Sequence, residues 1–203
     1  MTMEQLNNIS NSLTSYLGEC ISCSVIPGFL NINLTDQTKL IELLNFLKKE
    51  NDFLCTVLTD LFVVDYPDRI KRFDVIYNLL SLQHNFRVVA QVGLSDGEEL
   101  STAVHIYSCA LWYEREAWDM YGVKFYNNPD LRRILTDYGF DGHPLRKDFP
   151  LTGYKEVRYD IEQKKVIYEP VNLTQEFRTF DFLSPWEGTK YVLPGDEKAK
   201  EQQ

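Results

Sequence analysis

Histidine is scarce in this chain: His84, His105 and His143 are the only three. A two- or three-histidine metal centre would need convergence from distant parts of the fold, and metal geometry is demanding. His143, between Gly142 and Pro144, is the one placed for a specific hydrogen bond, read as structural. Cysteine is nearly as rare, at Cys20, Cys23, Cys55 and Cys109. Cys20 and Cys23 form a C-x-x-C, open to redox, half-metal-site and coincidental readings. Cys55 and Cys109 sit in apolar sequence at unrelated spacing, so no known iron–sulfur ligand set is formed, and buried reduced thiols are expected.

Other absences narrow the field. There is no G-x-G-x-x-G and no G-x-x-x-x-G-K-[ST], so nucleotide binding has no support. The longest apolar stretches, such as Leu61 to Val64, fall far short of the roughly 20 residues of a membrane span. The N-terminal MTMEQLNNISNSLTSYLGE is neither arginine-rich nor a charged start followed by an apolar core, so neither a transit nor a secretory peptide is expected. A formal charge of −9 and a pI near 4.9 argue against a nucleic-acid partner. Basic residues gather instead between Arg132 and Asp160, an asymmetry suited to an acidic protein partner.

What is present reads as an α+β chain. Thr35 or Asp36 can cap a helix from Gln37 to about Glu50, with Leu40, Leu43, Leu44 and Leu47 on one face and Lys48 and Lys49 at the C-terminal end of the dipole. Strand-like runs follow at Leu54 to Tyr66, Phe73 to Leu82 and Phe86 to Leu94, the last two antiparallel across His84-Asn85. Leu17 to Leu34 holds two shorter strands broken at Pro27-Gly28, and Asp96-Gly97 marks a turn. The expected fold is a mixed or antiparallel sheet packed with helices, followed by an extended Pro/Arg-rich C-terminal segment. Residues 1–135 make the compact domain and 136–203 the strap. Within the strap, Tyr154 to Asp160 can pair with Lys165 to Tyr168 across Glu162-Gln163, and the DEKAKEQQ tail is expected to be disordered.

The densest chemistry lies from Trp112 to Asp160, WYEREAWDMYGVKFYNNPDLRRILTDYGFDGHPLRKDFPLTGYKEVRYD. It opens as a helix over Cys109 to Tyr121, with Ser108 as N-cap and Gly122 as a left-handed stop. Arg115 and Asp119, four apart, share a face and are expected to pair. Glu114, Glu116 and Asp119 suggest acid–base carboxylates, but Glu114 and Glu116 point to different sides. Neighbouring arginines are expected to depress their pKa values, opposite to what a general acid needs. Beyond the helix the chain turns irregular around Asn128-Pro129 and His143-Pro144, where Arg132, Arg133, Arg146 and Arg158 are suited to carbonyls and carboxylates from elsewhere.

Glu114, Arg115, Glu116, Asp119, Met120, Tyr121, Arg132, Ile134 and Leu135 together resemble the signature of the 30 kDa subunit family of respiratory complex I, whose bacterial members are its C-type subunits. The GHPLRKDFPLTGYKEVRYD and EPVNLTQEFRTFDFLSPWE stretches are similar to its mitochondrial and alphaproteobacterial branch, so the resemblance runs from about Lys39 to Glu187. One position departs: the family usually has His or Lys where this chain has Asn128, so no cation role transfers there.

The resemblance implies a non-catalytic subunit of proton-pumping NADH:ubiquinone oxidoreductase, in the peripheral arm and without independent activity. It implies no cofactor on this chain, with FMN, iron–sulfur clusters and ubiquinone on partner subunits. The implied partners are the hydrogenase-like 49 kDa subunit and other peripheral-arm subunits, on the matrix side of the mitochondrial inner membrane or the cytoplasmic face of a bacterial membrane. Glu114, Arg115, Glu116, Asp119, Gly122, Arg132, Arg133, His143, Pro144, Arg146, Lys147, Asp148 and Arg158 are the implied signature and interface residues. The competing readings are a transient assembly or regulatory module and a freestanding hydrolase using His143 with Asp141 or Asp148.

Overall fold

The computed structural model describes residues 3–175. Its centre is a five-stranded sheet built from β1 (Ile21–Ile26), β2 (Phe29–Leu34), β3 (Val57–Asp65), β4 (Phe73–Ser81) and β5 (Phe86–Leu94), in the order β1-β2-β5-β4-β3. All neighbours are antiparallel except β2 and β5, so the sheet is mixed. Two hairpins form where expected: Gly28 turns β1 into β2 at φ 93°, and Asn85 takes φ 51° between β4 and β5, both left-handed conformations that glycine and asparagine tolerate best.

The period-2 alternation along the strands sorts side chains onto two faces. On one face the register lines up Leu58, Leu79, Val88 and Leu30, then Leu61, Tyr77, Ala90 and Ile32, all buried. Those rows share one core with the buried stripes of α1 (Met3–Leu17), α2 (Leu40–Lys49) and α3 (Ala110–Tyr121). The other face carries Val57, Leu80 and Arg87 in one row, Asn78, Val89 and Asn31 in the next, and Phe62, Ile76, Gln91 and Asn33 in a third. These side chains are half-buried or exposed.

In α2, the buried residues are Leu40, Leu43, Leu44 and Leu47, as the spacing requires, and Lys48 and Lys49 occupy the last turn. A 3₁₀ turn over Gln37–Lys39 precedes it, with Asp36 accepting from the Thr38 N–H at 2.9 Å. The sequence reading missed α1, whose Leu6, Ile9, Leu13 and Leu17 are buried at helical spacing within a polar, asparagine- and serine-rich run. It also missed the short parallel pair β6 (Glu99–Ser101) and β7 (Lys124–Tyr126).

The α+β class holds for the described residues. Two compact units are distinguished, 1–153 and 154–203. In the second, β8 (Lys155–Asp160) pairs antiparallel with β9 (Lys165–Pro170), as the strand pattern predicts. The charged tail lies outside the described residues.

Candidate functional site

The signature helix α3 starts at Ala110, with Cys109 in the N-cap position and no side-chain cap. Ser108 is therefore not the cap; it contributes only its carbonyl, which accepts the Leu111 N–H at 3.3 Å. At the other end Gly122 adopts φ 80°, and its N–H reaches the Trp118 carbonyl at 2.8 Å. A side chain here is excluded twice over, by the left-handed backbone and by His143 and Arg146, which a Cβ would meet at 2.7 and 2.9 Å.

Asp119 is fully buried and organises the chain beyond the helix. Its Oδ2 accepts three consecutive backbone N–H groups, from Ile134 (3.0 Å), Leu135 (2.7 Å) and Thr136 (2.9 Å). Its Oδ1 accepts from the Thr136 hydroxyl and from Arg133 Nη1 at 2.8 Å. Burial alone would raise the Asp119 pKa, but these donors outweigh it and hold the carboxyl well below its usual range.

The expected Arg115–Asp119 pair is not formed. Asp119 pairs with Arg133, whose Nη2 also donates to the Phe140 and Gly142 carbonyls at 2.8 and 3.0 Å. Arg115 instead donates to the Arg132 and Arg133 carbonyls at 3.1 and 3.0 Å. Helical spacing put Arg115 within reach, but the irregular segment supplied Asp119 with better-placed donors. His143 takes the hydrogen-bonding role expected of it: Nδ1 lies 3.0 Å from the Asp119 carbonyl and donates to it. Burial holds the His143 pKa below its ordinary value.

A second cluster joins the loop to the sheet. Arg146 donates from Nε to the Tyr121 carbonyl at 2.6 Å and bidentately to Asp96 at 3.0 and 2.9 Å. Arg72 grips Asp65 at 2.7 and 2.9 Å and Asp148 at 3.0 and 2.9 Å. The two guanidiniums lie 5.2 and 5.0 Å from the Phe73 ring centre, a cation–π arrangement. The Lys147 N–H donates to Asp65 at 2.8 Å, and the Arg72 guanidinium beside Asp65 lowers that carboxyl's pKa. The sequence reading picked out Arg146, Lys147 and Asp148 but missed Arg72, Asp65 and Asp96. A lone Asp on the otherwise apolar buried face of β3 was the signal for Asp65.

Glu114 overturns a second expectation. Its pKa is raised, not depressed, because burial outweighs the hydrogen bonds from Thr102, Ala103 and Asn128. Those bonds run from the Thr102 hydroxyl (2.6 Å), the Ala103 N–H (2.7 Å) and Asn128 Nδ2 (2.7 Å). No arginine pairs with Glu114 among the described residues, which removes the assumed depressing charge. The carboxyl is 0% exposed, so it joins the segment before α3 to the segment after β7 and has no surface on which to act. Asn128, the departure from the family pattern, holds a neutral seat against it.

The remaining predicted residues stand apart. Glu116 is exposed, Pro144 is half-buried in the loop, and Arg132 pairs with Asp130 at 2.8 Å while 60% exposed. Arg158 pairs with Glu169 across β8 and β9 at 2.7 Å. The cysteines are free; Cys55 is buried, with its thiol pushed up to about 12, but Cys109 is exposed, contrary to the buried-thiol expectation, because it precedes α3 at the surface. Among the described residues no group of three His, Cys, Asp or Glu is placed to hold a metal ion.

The site therefore defines a class: a helix end whose buried charges fix an irregular loop onto a sheet. The profile of the family described as respiratory-chain NADH dehydrogenase, 30 kDa subunit, matches residues 34–155, and the chain belongs to that family. The C-type subunit of the NADH-quinone oxidoreductase of Rhizobium rhizogenes (strain K84 / ATCC BAA-868) is 56% identical over 198 residues, covering 97% of this chain and 98% of the relative. The Brucella ovis protein of the same name is 54% identical over 201 residues, covering 98% and 99%. These relatives are bacterial. A chain of the membrane-bound sulfane sulfur reductase, an archaeal respiratory membrane complex, shares the fold at TM-score 0.61 and 22% identity, covering 71% of this chain and 85% of that one. Among the described residues no helix is long and apolar enough to cross a membrane.

Proposed function

We propose that the chain is a structural, cofactor-free subunit of the peripheral arm of proton-pumping NADH:ubiquinone oxidoreductase. In this reading it holds the hydrogenase-like 49 kDa subunit in place near the quinone site, while FMN, iron–sulfur clusters and ubiquinone reside on partner subunits. It works on the matrix side of a mitochondrial inner membrane or the cytoplasmic face of a bacterial one.

The observation that carries the reading is how the signature charges are spent. Asp119, Arg133, Arg115 and Arg146 bond backbone groups of their own chain. A general acid or base must reach a proton on a substrate, whereas donors and acceptors committed to carbonyls and N–H groups fix a shape. In this reading Arg115, Arg133 and Arg146 grip the chain itself and so present a preformed surface to a partner. That surface includes Leu135, Tyr138 and Leu151, which are 63%, 77% and 83% exposed, and preorganisation of this kind lowers the cost of docking.

Asp119→Asn in the native complex tests the proposal. The amount of assembled complex on blue-native gels should fall, while NADH:quinone turnover per assembled complex stays unchanged. Normal assembly with lost turnover would instead make this cluster part of the chemistry.

A further inference from the structure

Most of the charge in the irregular segment after β7 is already spent. Arg132 pairs with Asp130, Arg133 with Asp119, Arg146 with Asp96 and Asp148 with Arg72, and Asp137 is not free either. Two side chains remain. Among the described residues the Asp141 carboxylate and the Lys147 ammonium have no hydrogen bond or ion pair, and both residues are exposed.

The backbone that carries these two groups is nevertheless fixed. Arg133 Nη2 clamps the carbonyls on either side of Asp141, those of Phe140 and Gly142, at 2.8 and 3.0 Å. Phe149 packs against Gly142, where a Cβ would meet its ring at 2.8 Å, so the bend has little room to shift. Lys147 is the second residue of a turn closed by the Phe149 N–H on the Arg146 carbonyl at 3.1 Å. Its own N–H is held by Asp65 at 2.8 Å, and its neighbours Arg146 and Asp148 are each gripped by a two-bond fork. Charges on a clamped backbone lose less freedom on binding than charges on a loose one.

From this placement we infer that Asp141 and Lys147 are the charged contacts through which the loop recognises a partner polypeptide, which meets Lys147 with a carboxylate and Asp141 with a cation. The mixed signs select the partner. A phosphate-rich surface would attract Lys147 but repel Asp141, and a second copy of this chain would bring a net charge of −9 against another of the same sign. A different protein surface carrying both signs satisfies both groups. Leu145 and Leu151, on the same segment, are exposed, so the charges border apolar area as a polar rim does at protein interfaces. The inference rests on the proposed structural role and deepens it, naming the two contacts that choose the partner.

Carbodiimide cross-linking of the assembled complex tests it, because the reagent joins an ammonium to a carboxylate only when the two are in contact. Lys147 should be joined to an Asp or Glu of a different subunit. A link to a second copy of this chain, or none from Lys147 in an intact complex, would overturn the inference. Independently, Lys147→Glu and Asp141→Lys should each leave the melting curve of the full chain unchanged, because neither group has a partner within it. Each should lower co-purification with the complex by roughly tenfold or more, since like charges are then brought together. Asp52→Lys, which reverses an exposed charge in the turn after α2, should not lower it. Undiminished co-purification of either loop variant, or an equal fall in Asp52→Lys, would contradict the inference. If the loop variants assemble normally while Asp119→Asn does not, this inference alone fails; if all three assemble normally, the structural role fails with it. The cross-link decides the matter if a variant does not fold.

Discussion

The sheet and the loop after α3 are held together by different physics. In the sheet, Tyr77, Val88, Ala90 and Leu79 lose all contact with water, and the stabilisation scales with apolar area and tolerates substitutions of similar volume. From Asn127 to Gly153 there is almost no regular structure, and the fixing groups are Asp119, Arg133, Arg115, Arg146 and His143. Their hydrogen bonds are directional, so a change of one atom type breaks them where a change of volume would not. The sheet is a generic body, and the loop is a specific shape fastened to it.

That difference can be broken at its strongest point. Asp119→Ala removes the acceptor of three backbone N–H groups and leaves Arg133 partly buried without its carboxylate. The expected loss is about 3 to 5 kcal/mol, read from urea denaturation of the full chain. Leu79→Ala, in the fully buried face of β4, should cost a comparable or smaller 2 to 5 kcal/mol, roughly, through its cavity. The sharper contrast is in what replaces the residue. Leu79→Met should recover most of the loss because volume is kept, whereas Asp119→Leu should recover none.

Arg146→Ala comes next. From sequence alone a carbonyl or carboxylate partner from elsewhere is expected, and the partners are the Tyr121 carbonyl and Asp96, whose side chain is 49% exposed. Water replaces part of what is lost, so about 1 to 2 kcal/mol is expected. A thermal melt equal to that of the parent would show the Asp96 fork to be idle. Arg158→Ala, at an exposed pair in β8 and β9, should change stability by no more than about 0.5 kcal/mol.

The two fully buried carboxylates, Asp119 and Glu114, answer pH in opposite senses. Asp119 has a depressed folded pKa, so its contribution is complete above the unfolded carboxylate pKa of about 4 and is lost as pH falls through the folded value. Glu114 has a raised folded pKa, so its contribution is complete below its unfolded value and is lost as pH rises through the folded one. Glu114→Gln should therefore flatten the decline of stability with rising pH just above the ordinary carboxylate range, while Asp119→Asn should flatten the decline in acid. Urea midpoints measured across pH separate the two, and a slope unchanged in either variant would refute that assignment.

Legibility in the sequence follows the same division. Periodicity carries local information, so the leucines of α2 and the limits of β4 and β5 were readable from spacing alone. The helix α1 was missed because its asparagines and serines mask a sound apolar stripe. The loop was recognisable as ordered and rich in arginine, but its pairings were not readable. The rule of four residues assigned Arg115 to Asp119, yet the partner is Arg133, fourteen residues away. Arg72 meets Asp148 across seventy-six residues, a separation about which no local pattern carries information. Glu114 was misjudged for a related reason: its charge environment depends on which arginines reach it, and among the described residues none does.

The central claim is that Asp119 fastens the loop, and amide hydrogen exchange tests it most directly. In the full chain the N–H groups of Ile134, Leu135 and Thr136 should exchange nearly as slowly as those of Val88 and Ala90 in the sheet, and about a hundredfold faster in Asp119→Ala. Exchange of those three amides at the rate of an open loop in the unaltered protein would contradict it.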